Sequence, residues 1–227
     1  MNHFAVLIRL LRDRRMFLDE VRSGTKLETK IASLLVASSF FFSIYGAIIG
    51  SYGGGLQIIS SAIKLPALYL LTLIICLPTL YFFDILFGSR LGFKQYVTMA
   101  LTSVAVISVL LFSFAPVVLF FLISVKGYKF FLLMTVLVMA ITGCVGVRLF
   151  YKGMIDMVGP EAIEQKMRRR LLQGWVVLYA LVGSQLGWTL RPFVGTEGEP
   201  FQIFRPEIDG NFYAQVFRSI GSMLGFY

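Results

Sequence analysis

The sequence predicts an all-α fold, a polytopic helical bundle in a membrane, on three observations. Five long apolar runs divide it: Ile31–Gly50, Leu65–Phe87, Tyr96–Ile123, Tyr128–Phe150 and Leu171–Leu190. Each holds about 20 residues or more, the length that a helix rising 1.5 Å per residue needs to cross about 30 Å of hydrocarbon. The mean hydropathy is +0.80 and 57% of the residues are hydrophobic, more apolar length than a water-soluble domain of 227 residues would leave unbroken. The third observation is the placing of the basic residues. With five crossings and the N-terminus inside, 15 of the 21 Lys and Arg fall on the inner side. Cytoplasmic connections collect such residues, and anionic headgroups attract them. The net charge of +9 therefore points to a bilayer surface, with no nucleic acid implied.

Three regions follow. Residues 1–30 form a basic cytoplasmic amphipathic helix, residues 31–190 a five-helix transmembrane domain, and residues 191–227 an extracytoplasmic loop ending in a short amphipathic helix from about Asn211. In the first region Phe4, Leu7, Leu11 and Leu18 share a face at about 100° per residue, opposite Arg9, Arg12 and Asp13. Such a helix is expected to lie in the inner interface. Arg12, Arg14 and Arg15 are its candidate lipid contacts, joined by Arg168, Arg169 and Arg170 ahead of the last span. The first apolar run follows a basic stretch and is long enough to span, so it reads as an uncleaved signal anchor. The expected location is the bacterial cytoplasmic membrane, with the C-terminus outside.

The spans carry their own punctuation. Gly46, Gly50 and Gly54 recur every four residues, and Gly183 and Gly187 form a second such pair. Both are read as helix-packing faces, since small residues let backbones approach closely. One five-helix bundle would satisfy one face and leave the other for a partner or a second copy. Leu56–Lys64 reads as a short surface helix, with Pro66 in the first turn of the second span. Pro78 and Pro116 should kink theirs. Trp175 and Trp188 suit the two aromatic belts, and Lys64 and Arg191 are expected to anchor at the outer interface.

Chemistry is scarce. His3 is the one histidine, so no Ser-His-Asp or Cys-His arrangement arises in the membrane. Neither an HExxH motif nor a P-loop occurs. Cys76 and Cys144 lie within apolar runs, where thiols behave as small hydrophobes. No enzyme, cofactor or metal is therefore expected. Asp84 and Arg148 stand at similar depth by antiparallel counting, so either they pair or each reaches separately to the inner interface. Serine, threonine and one amide line the midplane without an acidic residue, which disfavours a coupled transporter and leaves room for a passive pore.

Two resemblances accompany these readings. From Ser60 to Phe120 a second span opens near Pro66, the short loop GSRLGFKQY follows, and a small-residue-rich third span contains Pro116. This layout resembles the Yip-domain membrane proteins, the Rab-interacting Yip family and its bacterial relatives. The resemblance implies a cytoplasmic N-terminus, five packed spans and a trafficking or scaffold role without catalysis. The leader and the GWTLRPF segment lie outside that pattern. Phe17 to Lys30 resembles the Wiskott-homology actin-binding motif through Leu18, Val21, Gly24 and Leu27, with Glu28 and Thr29 standing where that family carries lysines. The function expected is a structural, scaffold or assembly subunit of a larger membrane complex. The alternative is a passive channel or transporter subunit formed by oligomerisation.

Overall fold

In hydrocarbon each backbone N–H and C=O must find its partner within the chain, and a helix meets that demand locally. The computed structural model describes residues 3–86, 88–125, 127–157, 162–195 and 201–204. These described residues form seven α-helices, one 3-10 turn and no strand. The helices are α1 (His3–Arg12), α2 (Arg14–Arg22), α3 (Leu27–Gly50), α4 (Gly55–Leu86), α5 (Phe93–Ser124), α6 (Tyr128–Asp156) and α7 (Ala162–Thr189). Four are long and apolar enough to cross a membrane: the first runs from Leu27 through the 3-10 turn to Gly53, and α4, α5 and α6 follow. The 28 residues of α7 are more polar, with three consecutive arginines near its start.

The central helix is α3, packed along both α4 and α5. Glycine makes the first contact close: a Cβ on Gly46 would stand 2.4 Å from the Ser61 carbonyl oxygen, and one on Gly50 2.6 Å from that of Gln57. On the other side α6 packs on α5, where Gly146 lies beneath Ile107 and Gly153 beneath Met99. The last helix, α7, lies along α4 and meets α6 through the Phe150 and Trp175 rings, 4.9 Å apart. The core runs through all these seams, with Phe17, Phe42, Tyr45, Tyr96 and Phe131 among its largest fully buried side chains.

Two local expectations change. The leader is two helices, because the backbone turns at Asp13 (φ −136°, ψ 80°), whose carboxylate accepts from the Met16 N–H at 3.1 Å and caps α2. Its first helix packs along α3, with the Phe4 ring 5.6 Å from Phe40 and 6.0 Å from Phe41. Residues 56–64 are no separate surface helix: α4 is continuous over 32 residues and contains both Pro66 and Pro78. The expected helix from about Asn211 lies outside the described residues.

The two ends of the bundle differ. The leader end gathers α1, α2, the α4–α5 connection and the start of α7. Here Gln95 donates to the Val21 and Arg22 carbonyls at 3.1 and 2.7 Å, and Lys94 meets Glu28 at 2.5 Å. The far end gathers the Ser51–Gly53 turn, the start of α6 and the segment after α7. The Tyr52 ring lies 5.7 Å from Tyr128 and stacks on Phe131 at 5.3 Å.

Candidate functional site

The deepest charges meet at the leader end. Asp84, in the last turns of α4, is fully buried. Arg168 of α7 grips it with two parallel bonds, Nε to Oδ1 and Nη2 to Oδ2, both 2.7 Å. The Tyr96 hydroxyl of α5 donates to Oδ2 as well. With that proton given to the carboxylate, Ser89 supplies the hydrogen of the 2.7 Å bond that joins it to Tyr96. Fork-to-fork geometry is the strong form of the Arg–carboxylate interaction, and the added hydroxyl takes up further acceptor capacity on the aspartate. Three helices are thereby tied at one point.

This arrangement corrects two expectations. Asp84 pairs with Arg168, while Arg148 is exposed on α6. Counting residues gives depth but not neighbour order: α7 packs along α4, whereas α6 packs along α5. Arg168 in turn is no headgroup contact, being 6% exposed. Arg12, Arg14, Arg15, Arg169 and Arg170 are all exposed.

A second polar cluster occupies the far end. Gln57, Ser61 and Lys64 fall at i, i+4 and i+7 on one face of α4, and all three are buried. Gln57 Nε2 donates to Ser61 Oγ and to the Pro192 carbonyl, both at 2.9 Å. Ser61 donates to the Phe193 carbonyl at 2.5 Å. Lys64 donates to Pro192 O at 3.3 Å and to Ile203 O, and its ammonium lies 5.0 Å from the Phe204 ring centre. The expected interfacial anchor is thus a buried clamp on the chain that follows α7. Gly53 and Gly195 complete it, since a Cβ on Gly195 would stand 2.8 Å from the Gly53 Cα. Arg191 stacks on Trp188 at 3.3 Å.

The glycine faces also resolve. Gly46 and Gly50 form the α3–α4 seam, but Gly54 does not belong to it: it has φ +94° and open space where a Cβ would go. It is the turn residue that lets α4 double back. Gly183 and Gly187 face α4, where an added Cβ would stand 3.4 Å from Thr72 and 3.9 Å from Leu68 respectively. Both faces are therefore used within the chain, and neither is left free as expected. Trp175 likewise leaves the expected interfacial belt, donating its indole N–H to the Cys76 carbonyl at 2.8 Å.

The span hydroxyls look inward to their own helices. Ser38, Thr72, Thr79, Thr102, Ser108, Thr135 and Thr142 each donate to a carbonyl three or four residues earlier. Among the described residues no group of three His, Cys, Asp or Glu is placed to hold a metal. In the Wiskott-like stretch, Val21 is buried and its carbonyl is bonded to Gln95. Comparison with protein-family models, curated proteins and solved structures finds no match to this chain.

Proposed function

We propose that the chain is a non-catalytic multi-pass membrane protein that serves as a structural or assembly subunit of a larger membrane complex. The observation that carries this reading is the use of its membrane polar groups for internal ties. Span hydroxyls such as those of Thr72, Thr102 and Thr142 close onto their own backbone, and Asp84 is gripped by Arg168 and Tyr96. A proton relay needs an exchangeable carboxylate and a pore needs hydroxyls turned to a passage. Here the carboxylate is committed to a tie between helices and these hydroxyls to their own backbone, which leaves the outer surfaces to do the work.

Five crossings fit the helix packing. Arg168, Trp175, Gly183 and Gly187 of α7 meet Asp84, Cys76, Thr72 and Leu68 of α4 in antiparallel order. A helix flanking a spanning neighbour over that length crosses with it. The basic bias then sets the leader end inside and residues beyond α7 outside, in a bacterial cytoplasmic membrane. Because both glycine faces are used internally, a partner would dock on exposed surface such as the basic inner face. The test is purification in mild detergent with identification of what comes with the chain, beside a conductance assay in liposomes. A stoichiometric membrane partner with no flux supports the proposal. Recovery as a self-oligomer that conducts would replace it with the passive channel.

A further inference from the structure

We infer that the pocket between α1, α2 and the start of α3 binds a phosphate group, a site independent of the scaffold reading. The pocket has a volume of ≈ 200 Å³, and Arg9, Phe17, Glu20, Lys26, Thr29 and Lys30 contribute to its wall. One water needs only about 10–15 Å³ on this measure, so the space admits a polyatomic ion. Three cations and one carboxylate face it, a formal excess of two positive charges.

The carboxylate is already divided. Glu20 lies 2.9 Å from Lys30 Nζ and 3.4 Å from Arg9 Nη1. Lys30, 5% exposed, also donates to the Thr25 carbonyl at 2.5 Å and lies over the Phe17 ring. It is a fixed part of the wall. Arg9 keeps most of its five donors, since 3.4 Å is a long contact and its side chain is 60% exposed. Lys26 is exposed as well. Of the other acids nearby, Asp13 is engaged at the α2 cap and Glu28 with Lys94, while Asp19 is exposed and does not line the pocket.

The start of α3 strengthens the same field. Lys26 is its N-cap, with φ 50° and ψ 41°, and no side chain caps the first turn. Helix N-termini carry unpaired N–H groups and about half a positive charge, which favour anions. A tetrahedral phosphate offers acceptors in several directions, matching a guanidinium on α1, an ammonium before α3 and the Thr29 hydroxyl. Two sources share this chemistry. A phospholipid headgroup could enter with its chains along the exposed Phe4, Ile8 and Leu11 stripe of α1, and a free phosphate could enter from water.

The test uses the full chain with two probes: nanodiscs of phosphatidylglycerol in phosphatidylcholine, read by lipid retention in native mass spectrometry, and inorganic phosphate in lipid-free detergent, read by calorimetry. The variant Arg9→Gln with Lys26→Gln should weaken binding about tenfold, because two charge-assisted contacts are lost. The control Arg14→Gln with Arg15→Gln removes equal charge from exposed positions that do not line the pocket, and should change binding less than about twofold. Arg9→Lys with Lys26→Arg should retain most of it. Circular dichroism and gel filtration check that each variant folds. Retention of phosphatidylglycerol alone assigns a headgroup, and binding of inorganic phosphate assigns a soluble source; either supports the site. Failure of both probes to bind, or equal losses in the pocket and control variants, would overturn it.

Discussion

Arg168 meets Asp84 through two parallel 2.7 Å bonds, joining residues 84 positions apart in the chain and locking the start of α7 onto the end of α4. A buried charge left alone is expensive, whereas a pair replaced together by apolar groups is often neutral. Asp84→Asn should therefore destabilise the protein by about 3–5 kcal/mol, and Asp84→Leu with Arg168→Met should recover most of that loss. Arg148→Gln, at an exposed position, should stay within about 0.5 kcal/mol of the parent. Unfolding in mild detergent measures all three. An Arg148 effect as large as that of Asp84 would mean the pair is misassigned.

The glycines should separate by what surrounds them. Gly46→Ala places a methyl against the Ser61 backbone, which cannot yield like a flexible side chain, and should destabilise by about 1–3 kcal/mol or more. Gly183→Ala meets Thr72 at 3.4 Å, an ordinary contact, and should be nearly silent. At Gly54 the obstacle is the backbone: with φ +94° an alanine is strained despite the open space, and should lose more than about 1 kcal/mol. Thermal shifts in that order bear out the packing, and a silent Gly46→Ala would refute the α3–α4 seam.

Release of the far-end clamp should expose the chain beyond α7. Val194 is 3% exposed, so Val194→Cys should react slowly with a membrane-impermeant maleimide. Adding Lys64→Met removes the ammonium bonded to Pro192 and Ile203, and the labelling rate should rise several-fold. An unchanged rate would show that Gln57, Ser61 and the Gly53–Gly195 contact hold the segment without Lys64.

Orientation is open to a direct assay. Single cysteines at Arg90 and Lys152 should be labelled only after the inner side is opened, and one at Phe201 from the outside of intact cells. Reversal of this pattern would place the leader end outside and remove the basis for an inner basic face.

The sequence by itself determined the helices and their approximate order. Hydrocarbon leaves a lone strand no backbone partners, so about 20 apolar residues in a row specify a helix whatever its neighbours are. Proline did not interrupt α4 at Pro66 or Pro78, because a helix embedded among others can re-satisfy the freed groups. The leader's apolar face was legible only in part: of Phe4, Leu7, Leu11 and Leu18, Leu7 is buried but Phe4 and Leu11 are exposed, and the buried side is completed by Leu10, Phe17 and Val21. What only the tertiary structure decided was which helices touch. Linear spacing marks a small-residue face or a charge at a given depth, but it is blind to direction around the helix axis and to neighbour order. Arg148 and Arg168 were both basic residues near the expected inner ends of spans, and lateral packing alone gave Asp84 to the second. For the same reason Lys64, read as a surface anchor, became a buried clamp: its partners are the carbonyls of Pro192 and Ile203, more than a hundred residues away. Backbone carbonyls leave no mark in the side-chain pattern, and only the fold brings them to the ammonium.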